Sequence, residues 1–155
     1  MKQEPKLIIF LLRLSLAWIF LYSSISKIIA SDWTSADFLK GASSLKPLFD
    51  WFASPQNIGW VDFLNIYGQL ALGIALLLGI FLPIAAIGGV AMMSLYYLAQ
   101  IHFPYVGRGT LFLLIDDHVI YSLCLLLLWK FDAGRYLGLK TQVAQLLGNR
   151  LQKLN

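Results

Sequence analysis

Four stretches of this chain run for about 20 residues with little charge, and that property leaves few folds open. A helix rises 1.5 Å per residue, so about 20 apolar residues cross a hydrocarbon layer of about 30 Å. The stretches are Leu7 to Ala30, Asp62 to Leu82, Ile84 to Ile101 and Leu111 to Phe131. Composition agrees, with 59% of residues hydrophobic and 13% charged, and a mean hydropathy of +0.71, far from the values of a soluble domain. The expectation is an all-α integral membrane four-helix bundle, one domain over residues 1–139, followed by a tail over 140–155. Arg13 interrupts the first stretch, and Lys27 stands where a signal peptide needs a small neutral cleavage site, so this stretch reads as a retained span.

Charge gives the orientation. With four spans both termini share one side, which collects Lys2, Lys6, Lys130, Arg135, Lys140, Arg150 and Lys153, against Lys40, Lys46 and Arg108 on the other. The positive-inside rule places the termini in the cytoplasm and the chain in the inner (plasma) membrane. The net charge of +4 is then mostly a lipid-facing property, and nucleic acid is not expected as a partner. In the tail, Val143, Leu146, Leu147, Leu151 and Leu154 recur at helical spacing, which predicts an amphipathic helix over Gln142 to Leu154 on the inner surface.

Polar residues inside the spans are the candidates for function. Asp116, Asp117 and His118 interrupt the fourth, where a carboxylate near the bilayer centre costs about 3 kcal/mol. Groups at such depth are usually paired, face the bundle interior and take part in proton or ligand chemistry. Asp117 and His118 are the candidate catalytic pair, an imidazole beside a carboxylate. The alternative is structural, with Asp116 or Asp117 neutralising a buried cation.

The first span carries Arg13, Ala17, Phe20, Ser24 and Lys27 on one face. By depth Lys27 can pair with Asp116 or Asp117, while Arg13 can meet Asp132 or Glu4, or else snorkel to the headgroups. Asp62, Asn65, Gln69 and Gly73 form a stripe on the second span. Gln69 needs an interhelical hydrogen bond, a ligand or water. Tyr96 and Gln100 share a face of the third span, and Tyr121 follows Asp117 by one turn. Lys27, Gln69, Tyr96 and Tyr121 can together line a pocket for a ring bearing carbonyl or hydroxyl oxygens.

The segment 31–59 carries Trp33, Phe38, Phe49, Trp51 and Phe52, too aromatic for a solvated linker. Thr34 can cap one short helix, with Asp37 in its first turn, and Pro47 suits the first turn of another running to about Ala53. These helices lie at the interface as an aromatic belt, or form a lid over a pocket. The single cysteine, Cys124, excludes an internal disulfide and a dithiol centre and reads as a small buried apolar residue. His102 and His118 lie toward one side, but His102 falls in a loop, so no haem or metal is expected.

Arg13-Leu14, Phe20-Leu21 and Ser26-Lys27-Ile28 resemble the opening helix of the DoxX and DoxD membrane proteins. Gly73 to Gly79 with Pro83 behind it, and Asp132-Ala133-Gly134-Arg135-Tyr136-Leu137-Gly138-Leu139, are similar to later segments of that family. Trp51 and Pro55 resemble the DoxD branch, whereas Lys140 stands where that family leads one to expect an aspartate. The resemblance implies a four-helix membrane subunit of a quinone-linked oxidoreductase, in the best-known case oxidising thiosulfate. A quinone would be the substrate, with His118 carrying protons, Asp117 orienting it, and Lys27, Gln69, Tyr96 and Tyr121 on the head group. A second subunit or another copy of the chain is the implied protein partner. The alternative is a non-catalytic membrane anchor or assembly partner whose charges fix helix register.

Overall fold

The computed structural model describes residues 4–30, 32–107, 112–140, 143 and 145. It is mostly helical: α1 (Glu4–Ile29), α2 (Ala36–Lys40), α3 (Lys46–Phe52), α4 (Ile58–Leu78), α5 (Leu82–Gln100) and α6 (Asp117–Lys130). Among the described residues three of these, α1, α4 and α5, are long and apolar enough to cross a membrane. Helices α1, α4, α5 and α6 pack each against the next in a closed ring. Its core holds Leu16, Phe20, Leu72, Leu76, Met93, Leu125 and Leu128, while large apolar residues such as Trp18, Ile8, Ile84 and Ile87 point outward. That inversion suits a hydrocarbon solvent.

The stripe on α1 is its packing face: Arg13, Ala17, Phe20 and Ser24 are all buried. Gly73 lets α4 come close, since a Cβ there would lie 2.7 Å from Leu21 Cγ. The Ser24 hydroxyl donates across the same interface to Ile66 O at 2.9 Å. Helix α4 starts and ends earlier than the 62–82 span expected from hydropathy. Gly79, at φ +69°, is its C-cap, the left-handed conformation that glycine adopts without a Cβ penalty. Pro83 then occupies the first turn of α5.

The fourth span departs most from expectation. Helix α6 has 14 residues, about 21 Å, and does not begin at Leu111. Residues 101–113 instead contribute three short antiparallel strands, β1 (Ile101–His102), β2 (Tyr105–Val106) and β3 (Phe112–Leu113), in the order β1-β2-β3. The all-α expectation is corrected to that extent. Asp116, at φ −120° and ψ −173°, is the N-cap of α6, and its carboxylate accepts from the backbone N–H of His118 and of Val119. The acidic triplet therefore starts a helix rather than interrupting one. A cap supplies the N–H groups of a first turn with acceptors, which gives Asp116 a local reason to be there.

The aromatic segment folds over the ends of α4 and α5. Ser35 rather than Thr34 is the N-cap of α2, and its N–H and hydroxyl both donate to Asp62 Oδ1 on α4. Ser43 N–H donates to Ala99 O at 3.1 Å, and the Ser44 hydroxyl donates to Leu98 O. The segment is thus tied to both helices, with Leu39, Phe49, Ala53 and Ala99 buried beneath it.

At the opposite end Arg13 is fully buried and, among the described residues, meets no carboxylate. Its Nη1 donates to Ala133 O at 2.9 Å and its Nη2 to Leu137 O at 3.2 Å, while Nε has no partner among the described residues. Asp132 pairs instead with Arg135 and Lys140. The expected Arg13–Asp132 pair and the snorkelling alternative are both overturned; the side chain of Glu4 lies outside the described residues. The predicted helix over Gln142 to Leu154 also falls largely outside them.

Candidate functional site

Three helices converge on one polar cluster near the aromatic segment. From α1, Lys27 Nζ donates to Asn65 Oδ1 at 2.6 Å and to Gln69 Oε1 at 2.8 Å. Ser23, one turn earlier on the same face, donates to the same Gln69 oxygen at 2.9 Å. With its oxygen accepting from two donors, the Gln69 amide turns its Nε2 to the Tyr96 hydroxyl on α5, at 3.0 Å. The network itself orients the amide. Tyr96, accepting there, keeps its own O–H proton for donation. The Lys27 ammonium also lies 4.8 Å from the centre of the Trp33 ring, a cation–π contact.

Beside this cluster is a cleft of about 330 Å³ between α4, α5 and the aromatic segment. Phe38, Phe52 and Trp60 form its aromatic side, Leu64, Met92 and Leu95 its aliphatic side, and Asn65 and Tyr96 bring polar atoms to its wall. Phe38 meets the Tyr96 ring edge-on, with centroids 6.0 Å apart. Such a volume with few polar points is in the range of small-molecule sites.

His118 stands beside Tyr96 but outside the cleft lining, with ring centroids 5.8 Å apart in an edge-on arrangement. Its Nδ1 is 2.6 Å from Asp116 Oδ2, and its side chain is 18% exposed against 4% for Asp116. Asp116 therefore has two tasks, capping α6 with one oxygen and holding the imidazole with the other. Asp117, expected in that second role, is exposed. Lys27 also lies apart from the acidic triplet: among the described residues its partners are amide oxygens, not Asp116 or Asp117. Tyr121 packs against the core of the helix ring and does not line the cleft.

Lys27, Gln69 and Tyr96 are thus brought together in one network, but of the four residues expected to line a pocket only Tyr96 lines this cleft; His118 stands at one remove, and Asp117 and Tyr121 lie elsewhere. Sequence reasoning placed Asn65 on the right stripe but left it outside the site, and it passed over Ser23 and Trp33. Ser23 was findable, because i and i+4 residues share a helix face. Trp33 was not, since it reaches Lys27 through a turn.

Long apolar helices with outward hydrocarbon side chains define a multi-pass membrane protein in contact with the lipid bilayer. Residues 8–100 match the DoxX family, and the chain belongs to it. DoxX proteins are membrane proteins, in some cases linked to quinone oxidoreductases. No curated protein and no solved structure matches the chain.

Proposed function

We propose that this protein is a membrane subunit of a quinone-linked oxidoreductase and that it binds the quinone head group in the cleft under α2 and α3. The observation that carries this reading is the juxtaposition of an aromatic-walled cleft with the Tyr96–Gln69–Lys27–Asn65 network. A quinone presents two carbonyl oxygens on a flat ring. Tyr96 O–H and the Asn65 amide supply hydrogen bonds to such oxygens, and the Lys27 charge behind them favours the electron-rich reduced forms. Reduction to quinol takes two electrons and two protons. His118, held by Asp116 and partly exposed, is the group suited to passing protons between the site and water. The electrons come from a redox partner, which is the role we assign to a second subunit. Thiosulfate or another reduced sulfur compound is the donor suggested by the DoxD-like features Trp51 and Pro55.

The proposed topology has both termini in the cytoplasm of a plasma-membrane protein, four crossings, and the cleft in the outer half. The fourth crossing is composite. Helix α6 covers about 21 Å, and it is preceded by the exposed apolar Leu113, Leu114 and Ile115, which form a tight turn closed by Ile115 N–H on Leu113 O at 2.7 Å. Their backbone finds partners at that depth: Leu114 N–H donates to Pro104 O at 3.0 Å, and the Tyr97 hydroxyl donates to Leu114 O at 2.7 Å.

Trp60 in the cleft wall provides the test. Quinone titrated into the purified protein in lipid nanodiscs is expected to quench Trp60 fluorescence saturably, and Tyr96→Phe to weaken binding about tenfold, the scale of one lost hydrogen bond. The other reading, a non-catalytic anchor, draws on the packing role of Arg13, Gly79 and Gly138. Absence of saturable quenching and of turnover with co-purified partners would favour it.

A further inference from the structure

The cleft under the aromatic segment does not end at its head-group volume. Helices α4 and α5, joined by the turn at residues 79–81, touch less than α1 touches α4 or α5 touches α6. A groove of about 500 Å³ runs between them, with the buried Leu72, Ala85 and Gly89 at its base and Gly68, Ala71 and Gly88 among its small lining residues. Gly68 and Met92 line both the cleft and the groove, so the two volumes adjoin. Met92 Cε would lie 3.1 Å from a Cβ at Gly68, which puts a flexible thioether chain at the junction between them. Along α5 the groove extends from Met92 to Ile84, about 12 Å, and its outer side is open, since Ala71, Ile84 and Gly88 are exposed.

We propose that this groove seats the prenyl tail of a long-chain quinone whose head group occupies the cleft, an inference that rests on the quinone reading above. Continuity with the cleft decides the occupant. A ligand whose polar ring sits against Tyr96 and Asn65 must send any attached chain out past Gly68 and Met92 or past Leu64 and Leu95. The first route continues into a groove lined by small residues, whereas on the second Leu64 and Leu95 are themselves exposed. Since lipid tails are as apolar as the groove, it contributes through close packing against glycine and alanine backbone rather than through removal of water. Its effect is therefore selectivity among quinones by tail.

Gly88→Leu adds a side chain at the groove wall, where a Cβ meets nothing within 4 Å, and thermal unfolding checks that the variant keeps wild-type stability. The probes are a tailless quinone and the same head group carrying four prenyl units, each titrated by Trp60 quenching at equal mole fraction in nanodiscs. We expect Gly88→Leu to weaken the long-chain compound about tenfold, a change of about 1.4 kcal/mol, and to leave the tailless compound within about twofold. Equal affinities of wild type and variant for both compounds would place the tail outside the groove and overturn the inference while leaving the head-group site standing. Displacement of the long-chain compound, but not the tailless one, by added phospholipid at the wild-type groove would make it an acyl-chain site and overturn it too. Wild type binding neither compound would remove the quinone reading and this inference with it.

Discussion

Arg13 and Lys27 are cations on one face of α1, and each donates to neutral oxygens. The carbonyls of Ala133 and Leu137 receive the guanidinium, and the amides of Asn65 and Gln69 receive the ammonium. Helical spacing made the shared face legible, because the 3.6-residue period is written in the sequence. The partners were not legible. Depth matching compares layers and favours carboxylates, whereas a backbone carbonyl is an equally good acceptor that every residue carries. Replacing Arg13 with Met strands two buried carbonyls and is expected to lower stability by about 3 kcal/mol, with Arg13→Lys intermediate, as read by thermal unfolding in detergent. In a double-mutant cycle Lys27→Met and Gln69→Leu should couple by more than about 0.5 kcal/mol, while Lys27→Met and Asp117→Asn should add. Additivity in the first pair would remove Gln69 from the Lys27 site.

Hydropathy located the apolar segments but not the elements within them. Leu111 to Ile115 is as apolar as a helix interior, and a short apolar run fits an extended segment equally well. What distinguishes the two here is Asp116, an N-cap residue type, whose signal was read as a buried charge because the hydrocarbon on both sides looked continuous. The α4–α5 boundary was more legible: Gly79 and Pro83 are stop and start signals, and they outrank hydropathy at residues 80–82. Capping and imidazole binding by Asp116 separate experimentally. Asp116→Ala is expected to destabilise by about 1 kcal/mol and Asp116→Asn by a few tenths, since asparagine caps as well as aspartate. Both should cut quinone turnover, because neither can stabilise the charged imidazole. If Asp116→Asn kept full turnover, the carboxylate would be no more than a cap.

The ring of helices is closed at both ends by segments that are not themselves spans, and these fix the path of the chain. At one end α2 and α3 bridge Asp62 and Ala99. At the other, Leu139 N–H donates to Leu78 O at 2.8 Å, and Arg13 holds residues 133–137 beside the α4–α5 turn. The chain after α6 is therefore back at the end where α1 begins, the geometry that the proposed composite fourth crossing calls for despite the short helix. This gives a prediction that hydropathy alone does not. In a Cys124→Ser background, with a single cysteine introduced at the exposed Gln56 or the exposed Gln145, an impermeant maleimide added to intact cells should label position 56. Position 145 should react only after permeabilisation. Labelling of both from outside would mean three crossings and α6 lying along the surface, so the Arg13 contacts could not form in the membrane. Labelling of 145 alone would keep four crossings but turn the cleft and His118 toward the cytoplasm. The quinone site would then exchange protons with the opposite compartment, and the redox partner would have to be sought there.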